Sequence, residues 1–122
     1  MNKRRVGGRY EEKAAAFLEQ QGLQILFRNF RCRQGEIDLI AYDRAERTVV
    51  FVEVKYRKTS YAGMPAEAVT RAKQKTICRV ADYYRSCYVT EDALSFRFDV
   101  VAILGEELSW YRNAFPYQRY YR

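Results

Sequence analysis

The chain of 122 residues contains no histidine. Every mechanism that needs an imidazole as base, nucleophile or metal ligand is thereby excluded for the chain acting alone, which removes Ser-His-Asp and Cys-His hydrolases, His-dependent finger nucleases and His/Cys zinc sites. Cysteine is scarce too: Cys32, Cys78 and Cys87 are odd in number and form no C-x-x-C pair, so free thiols in a reducing compartment are expected. No stretch approaches the roughly 18 apolar residues of a membrane-spanning helix. The opening "MNKRRVGGRYEEKAAAFLEQQG" is basic, but acids and glutamines interrupt what would be the apolar part of a secretory signal. A cytoplasmic protein without membrane association is the expectation.

What the chain does carry is positive charge. Against 15 Asp+Glu stand 22 Lys+Arg, a formal net charge of +7, which favours partners rich in phosphate. The hydrophobic fraction of 48% and the length fit one globular domain over residues 1–116, followed by a Tyr- and Arg-rich tail, 117–122, expected to be poorly anchored.

Helix-forming composition over 9–21 ends at Gly22, a C-cap residue. Residues 23–32 suit a first strand, and Gln34-Gly35 turns into "EIDLIAYD" (36–43), a second. "TVVFVEVKYR" (48–57) is apolar on both faces and reads as a central third strand. A loop containing Gly63 and Pro65 leads to a second helix from about Ala66 to Ser86, where Ile77, Val80, Ala81 and Tyr84 recur at helical spacing. Strands over 94–104 and 108–112 complete an α/β order of α-β-β-β-α-β-β, a mixed central sheet flanked by two helices.

Three acidic residues interrupt apolar faces. Glu53 and Lys55 share a face of the third strand with Val49 and Phe51, whereas Asp38 shares a face of the second strand with Ile40 and Tyr42, opposite Ile37, Leu39 and Ala41. An intrastrand ion pair accounts for Glu53 and Lys55 taken alone. If "DRAER" joins antiparallel neighbours, however, Asp38 and Glu53 converge on one side of the sheet. On the first helix Glu11 lines up with Ala14, Ala15 and Leu18, and Glu12 with Glu19 and solvent. Two readings of Glu11 stay open, a member of the acidic group and a charge favouring the helix N-terminus. Glu11, Asp38, Glu53 and Lys55 together sum to minus two, a burial cost that a hard divalent cation would cancel. Mg²⁺, with Mn²⁺ as its substitute, needs only a few carboxylates, retains waters and accepts a backbone carbonyl such as that of Val54. Beside a phosphodiester such an ion polarises the phosphoryl oxygen and lowers the pKa of a bound water, which Lys55 would orient.

"GEIDLI" (35–40) followed by "VFVEVKYR" (50–57), after a helix bearing Glu11, resembles the PD-(D/E)XK nuclease superfamily. "GGRYEEKAAAFLEQQGL" (7–23), "RNFRCRQGEIDLIA" (28–41), "YAGMPAEAVTRAKQKT" (61–76), "RFDVVAI" (97–103) and "NAF" (113–115) resemble, more closely, the YraN-like proteins, which are similar to archaeal Holliday-junction resolvases. The resemblance implies a restriction-endonuclease-like fold and metal-dependent hydrolysis of nucleic acid, DNA in particular, with Asp38, Glu53 and Lys55 at the centre and Glu11 as a helix-borne partner. A homodimer presenting two sites would suit junction cleavage; a nucleic-acid-binding module without turnover is the alternative. Two positions depart from the pattern: Ile37 replaces the superfamily's proline, and Tyr10 stands where relatives often carry glycine.

Lys73, with Gln74, lies on the stripe of the second helix that holds Val69 and Ile77, where it either snorkels to solvent or reaches phosphate at the site. Arg31 and Arg33, with Arg28, and Arg57 with Lys58 flank the site in sequence as phosphate contacts or as ordinary basic surface. Tyr42, Tyr56, Tyr83 and Tyr84 fall within regular elements and read as core. Tyr117, Tyr120 and Tyr121 with Arg119 and Arg122 either stack on a strand or belong to a loose tail.

Overall fold

A computed structural model describes residues 3–58, 69–88, 90 and 92–119. Its elements are α1 (Lys3–Gln20), β1 (Leu23–Cys32), β2 (Gly35–Asp43), β3 (Thr48–Arg57), α2 (Arg71–Cys87), β4 (Ser95–Leu104) and β5 (Glu107–Phe115). The strands form one sheet in sequence order. Only β3 and β4 are parallel, because α2 carries the chain back between them; the other neighbours are antiparallel.

Alternation along β3 divides the core in two. Val50 and Val52 pack with Leu39, Ala41, Val101 and Ile103 under Ala14, Ala15 and Leu18 of α1. Val49 and Phe51 pack with Ile40, Tyr42, Phe98 and Val100 under Ile77, Val80, Ala81 and Tyr84 of α2. The result is a three-layer sandwich with β3 in the middle, as its two-sided apolarity predicts. Gly22 takes φ 96 just past α1, the left-handed conformation that glycine adopts without steric cost.

Boundaries depart from expectation by more than one residue at three elements. α1 begins at Lys3 rather than 9. α2 begins at Arg71 rather than near 66, because Thr70 is an N-cap whose hydroxyl accepts the Lys73 N–H at 3.1 Å; the expected start from Ala66, with Gly63 and Pro65 before it, lies outside the described residues. β5 runs to Phe115 instead of ending at Arg112, since the pairing resumes at Phe98↔Phe115 beyond a bulge. Two side chains also differ from their expected places. Ile37 packs with Phe30, Ile40 and Tyr42 instead of sharing the face of Leu39 and Ala41. Strict alternation fails there because Asn29, between the pairs Arg28↔Leu39 and Phe30↔Ile37, adopts φ 52 and turns the edge of the sheet. Tyr83 is 41% exposed, since it lies one position off the buried stripe of α2.

The start of the expected loose tail is held. Tyr117 donates to Asp82 at 3.0 Å and packs on Phe96 and Phe98, while Tyr120, Tyr121 and Arg122 lie outside the described residues.

The α1 side of the sheet also buries a charged network that sequence patterning passed over. Asp99, fully buried, accepts from Arg97 Nε at 3.0 Å, Trp110 Nε1 at 2.9 Å and the Asn113 N–H at 2.8 Å. Arg97 Nη1 reaches Asp43 at 3.2 Å and Glu46 at 3.0 Å. Removing one partner of such a group strands the other in a dry environment. Asp99→Ala is therefore expected to cost about 3–5 kcal/mol in urea denaturation; a loss under about 1 kcal/mol would show that the network contributes little.

Candidate active site

The β2–β3 ladder runs from Asp43↔Thr48 to Leu39↔Val52, whereas β3 continues against β4 as far as Arg57↔Leu104. Past Val52 the two strands part into a fork. Asp38 fills its root, and its Oδ2 accepts the Val54 N–H at 2.7 Å, a bond that a backbone carbonyl would otherwise make. The carbonyl of Val54 leaves β3 on the same edge as its N–H and so faces the fork.

Glu53 is the next inward residue of β3 and is 5% exposed. Its carboxyl lies within hydrogen-bonding reach of Asp38. One oxygen, Oε2, also meets Lys55 Nζ at 3.8 Å and Lys73 Nζ at 3.5 Å. From the edge strand, the Asn29 amide lies near enough to lower the proton affinity of Glu11, which is half-buried on α1 and close enough to Asp38 to feel its charge. Glu12 is exposed and pairs with Arg28 at 3.0 Å, as helical periodicity predicts. Counted from Lys3, Glu11 is the ninth residue of α1, so its position is not explained by attraction to the helix N-terminus.

Electrostatics single out the same group. Burial, then the hydrogen bond and repulsion from Glu53, push Asp38 up to about 8, against the opposing pull of the Val54 N–H and Lys73. Burial and then Asp38 raise Glu11 to about 7, while the Asn29 amide works in the other direction. Both carboxyls therefore hold protons in a pH range where an exposed acid has none. Counting Lys73, the three acids and two lysines sum to minus one rather than the minus two expected without it.

Asp38 and Glu53 offer a hard cation two converging carboxylates beside the Val54 carbonyl, a donor set that suits an ion retaining several waters. The set is a pair and not a cage: among the described residues no three acidic or thiol groups come together as metal ligands. Glu11 acts on Asp38 across space only.

The remaining candidates divide. Lys73 joins the site through Glu53. Gln74 instead donates to the Val69 carbonyl at 3.0 Å and holds the entry to α2. Arg31 pairs across the β1–β2 turn with Glu36 at 3.3 Å, Arg33 and Lys58 are exposed, and Arg57 bonds the neighbouring Tyr56 carbonyl at 3.1 Å. Sequence reasoning missed Asn29, whose signal was its type, since asparagine is the residue besides glycine that best tolerates positive φ. It also missed the stack of Tyr10 on Tyr56, centroids 3.7 Å apart, where aromatic rings one residue from Glu11 and Lys55 fasten α1 to β3. A cavity of about 350 Å³ lined by Tyr84, Tyr88 and Phe96 lies at the other end of the sheet, beside Val49, and takes in none of these groups.

The family model described as "Uncharacterised protein family UPF0102" matches residues 10–103, a span that includes Glu11, Asp38, Glu53, Lys55 and Lys73. The chain is 47% identical over 115 residues to a UPF0102 protein of Lachnoclostridium phytofermentans, covering 94% of this chain and 96% of the relative. It is similarly 42% identical over 115 residues to a UPF0102 protein of Vibrio parahaemolyticus, covering 93% of each. A UPF0102 protein of Nitrosomonas europaea is 46% identical over 112 residues, covering 89% of this chain and 92% of the relative.

In the metal-free protein Asp38 keeps its proton well above the pH at which the unfolded chain releases it. Its contribution to stability is thus full below the unfolded value of 3.8 and is lost as pH rises through about 8. Asp38→Asn should remove that slope, so urea denaturation in EDTA at several pH values is expected to show the variant gaining on the wild type between pH 5 and 8. Parallel profiles would mean that Asp38 ionises normally.

Proposed function

The chain belongs to the UPF0102 family, and we propose that it is a divalent-metal-dependent nuclease of restriction-endonuclease-like fold that hydrolyses phosphodiester bonds, with DNA as the favoured substrate. The carrying observation is the Asp38 carboxyl, held in the strand fork by the Val54 N–H and set against Glu53. A buried carboxyl, Glu53, and a half-buried one, Asp38, placed against each other are unfavourable for packing, whereas a cation between them would offset the cost.

Mg²⁺ or Mn²⁺ would be held by Asp38, Glu53 and the Val54 carbonyl, with Glu11 beside them, and when bound supplies Lewis-acid polarisation of a phosphoryl oxygen and a bound water of lowered pKa. Lys55 orients the attacking water and stabilises the negative charge that develops on the phosphoryl oxygens. Arg31, Arg33, Arg57 and Lys58 lie on the chain segments that border the fork, where they neutralise backbone phosphates. The net charge of +7 draws a polyanion towards the protein. The strand order, the D-x14-E-x-K spacing and the helix-borne Glu11 support the PD-(D/E)XK likeness.

One observation favours a second reading, a nucleic-acid-binding module without turnover: the two lysines on Glu53 Oε2 already neutralise much of the acidic pair. Cleavage decides between the two. With Mg²⁺ or Mn²⁺, the wild type is expected to cut at least one of a panel of duplex, single-stranded, flap and four-way-junction substrates, and EDTA to stop it. Asp38→Ala and Glu53→Ala should each lose about a hundredfold or more, the order seen when metal-site partners are removed. Equal cleavage by wild type and both variants would sink the site; binding without cleavage across the panel would select the second reading.

A further inference from the structure

We infer that Lys73 is a tethered counter-ion of Glu53, displaced when a divalent cation binds and captured by a nucleic-acid phosphate, so that metal and nucleic acid bind the fork with positive cooperativity. The inference rests on the metal reading above and adds to it a reason for the second lysine.

Both ammonium groups meet the same oxygen, Glu53 Oε2, Lys73 at 3.5 Å and Lys55 at 3.8 Å. The carboxyl they share is deeply buried, with its side chain 4% exposed, whereas that of Lys73 is 38% exposed. The two lysines differ in how they are rooted. Lys55 lies two residues along the same strand and keeps its relation to Glu53 whatever occupies the fork. Lys73 reaches across from the first turn of α2, where its backbone N–H is fixed by the Thr70 hydroxyl at 3.1 Å. Its root is held while its long, half-exposed stem is free to swing.

A divalent ion ligated by Glu53 places two positive charges against an ammonium that had been sharing the same oxygen. Repulsion at that range in a partly dry site disfavours simultaneous occupancy. Lys73 therefore competes with the metal in the free protein. A phosphodiester at the fork changes the balance, because it gives the displaced ammonium an anionic partner. Metal binding frees Lys73 for phosphate, phosphate removes Lys73 from the metal's ligand, and by linkage each raises the other's affinity by the same factor. A lysine whose task was only to hold α2 to the sheet would produce no such coupling.

The test is Mn²⁺ titration followed by electron paramagnetic resonance at pH 8.5, on the full chain, with and without a cleavage-resistant phosphorothioate duplex. Lys73→Met is expected to bind Mn²⁺ about tenfold more tightly than wild type in the absence of duplex, the effect of removing one favourable charge contact. Duplex should tighten Mn²⁺ binding by wild type and by Lys73→Arg but leave Lys73→Met within about twofold. Melting in EDTA checks the fold of Lys73→Met, and Lys73→Gln serves the same comparison if the first variant is unfolded. Equal or weaker Mn²⁺ binding by the folded variant, or an equal response to duplex, overturns the inference and leaves the metal site standing. Absence of Mn²⁺ binding in both wild type and variant, or binding undiminished in Glu53→Gln, overturns the metal reading and the inference with it.

Discussion

One hydrogen bond, from the Val54 N–H to Asp38 Oδ2 at 2.7 Å, organises the forked end of this sheet. Where β2 and β3 part, the inner edge of β3 loses its strand partner, and an unpaired backbone donor in that position would be costly. A carboxylate is the side chain that satisfies it. By doing so Asp38 is carried into the plane of the fork and brought against Glu53, so the pairing of two acids follows from how the sheet opens. Asn29 contributes to the same opening from the far edge, since its left-handed turn lies opposite Asp38 in the register of β1 on β2. That turn also brings its amide near Glu11.

The charged network on the α1 side of the sheet shows what the fork would look like if it served packing alone. Asp99 is fully buried, yet it receives four donated bonds, two from Arg97 Nε and one each from Trp110 Nε1 and the Asn113 N–H. Its charge is matched locally, and the group ties β2, β4 and β5 together. At the fork, Asp38 has one backbone donor and an acid for a neighbour, and the pair depends on lysines at 3.5 and 3.8 Å, longer than a well-formed charge-assisted bond. The same chain thus pairs one set of buried carboxylates closely and leaves another loosely countered. The loosely countered set is the one facing the open ends of the strands, where a ligand can supply what is missing.

Much of this architecture was legible in the residues. β1 and β3 matched their expected bounds because period-two apolarity and turn residues agree there, and Glu11 was separated from Glu12 because a helical repeat resolves adjacent positions. The parts that were not legible depend on partners distant in sequence. Ile37 changed faces because of a backbone turn at Asn29 on the neighbouring strand, which no pattern within β2 encodes. Arg97 and Asp99 carried no reading in the sequence, and their burial depends on partners on β2 and β5 that no pattern within β4 encodes. The role of Lys73 was left open between snorkelling and site contact for a similar reason, since the crossing of α2 over the sheet decides it and periodicity does not.

Lys73 also alters the charge argument that pointed to a metal. Without it the acidic group carries two uncompensated charges, and a divalent ion looks obligatory; with it the deficit falls to one. Retained protons can meet that deficit, and the raised proton affinities of Asp38 and Glu11 act in that direction. The free protein then sets two lysines and retained protons against the three acids. On the proposed metal reading both kinds of counter-charge would be displaced, the proton by a metal and the half-exposed lysine by a metal with phosphate at hand. A net charge of +7 favours the approach of a polyanion to the surface. The acidic pair is thereby a local exception within a positive field, and on the metal-dependent reading proposed above metal occupancy would be disfavoured until a phosphate is at hand.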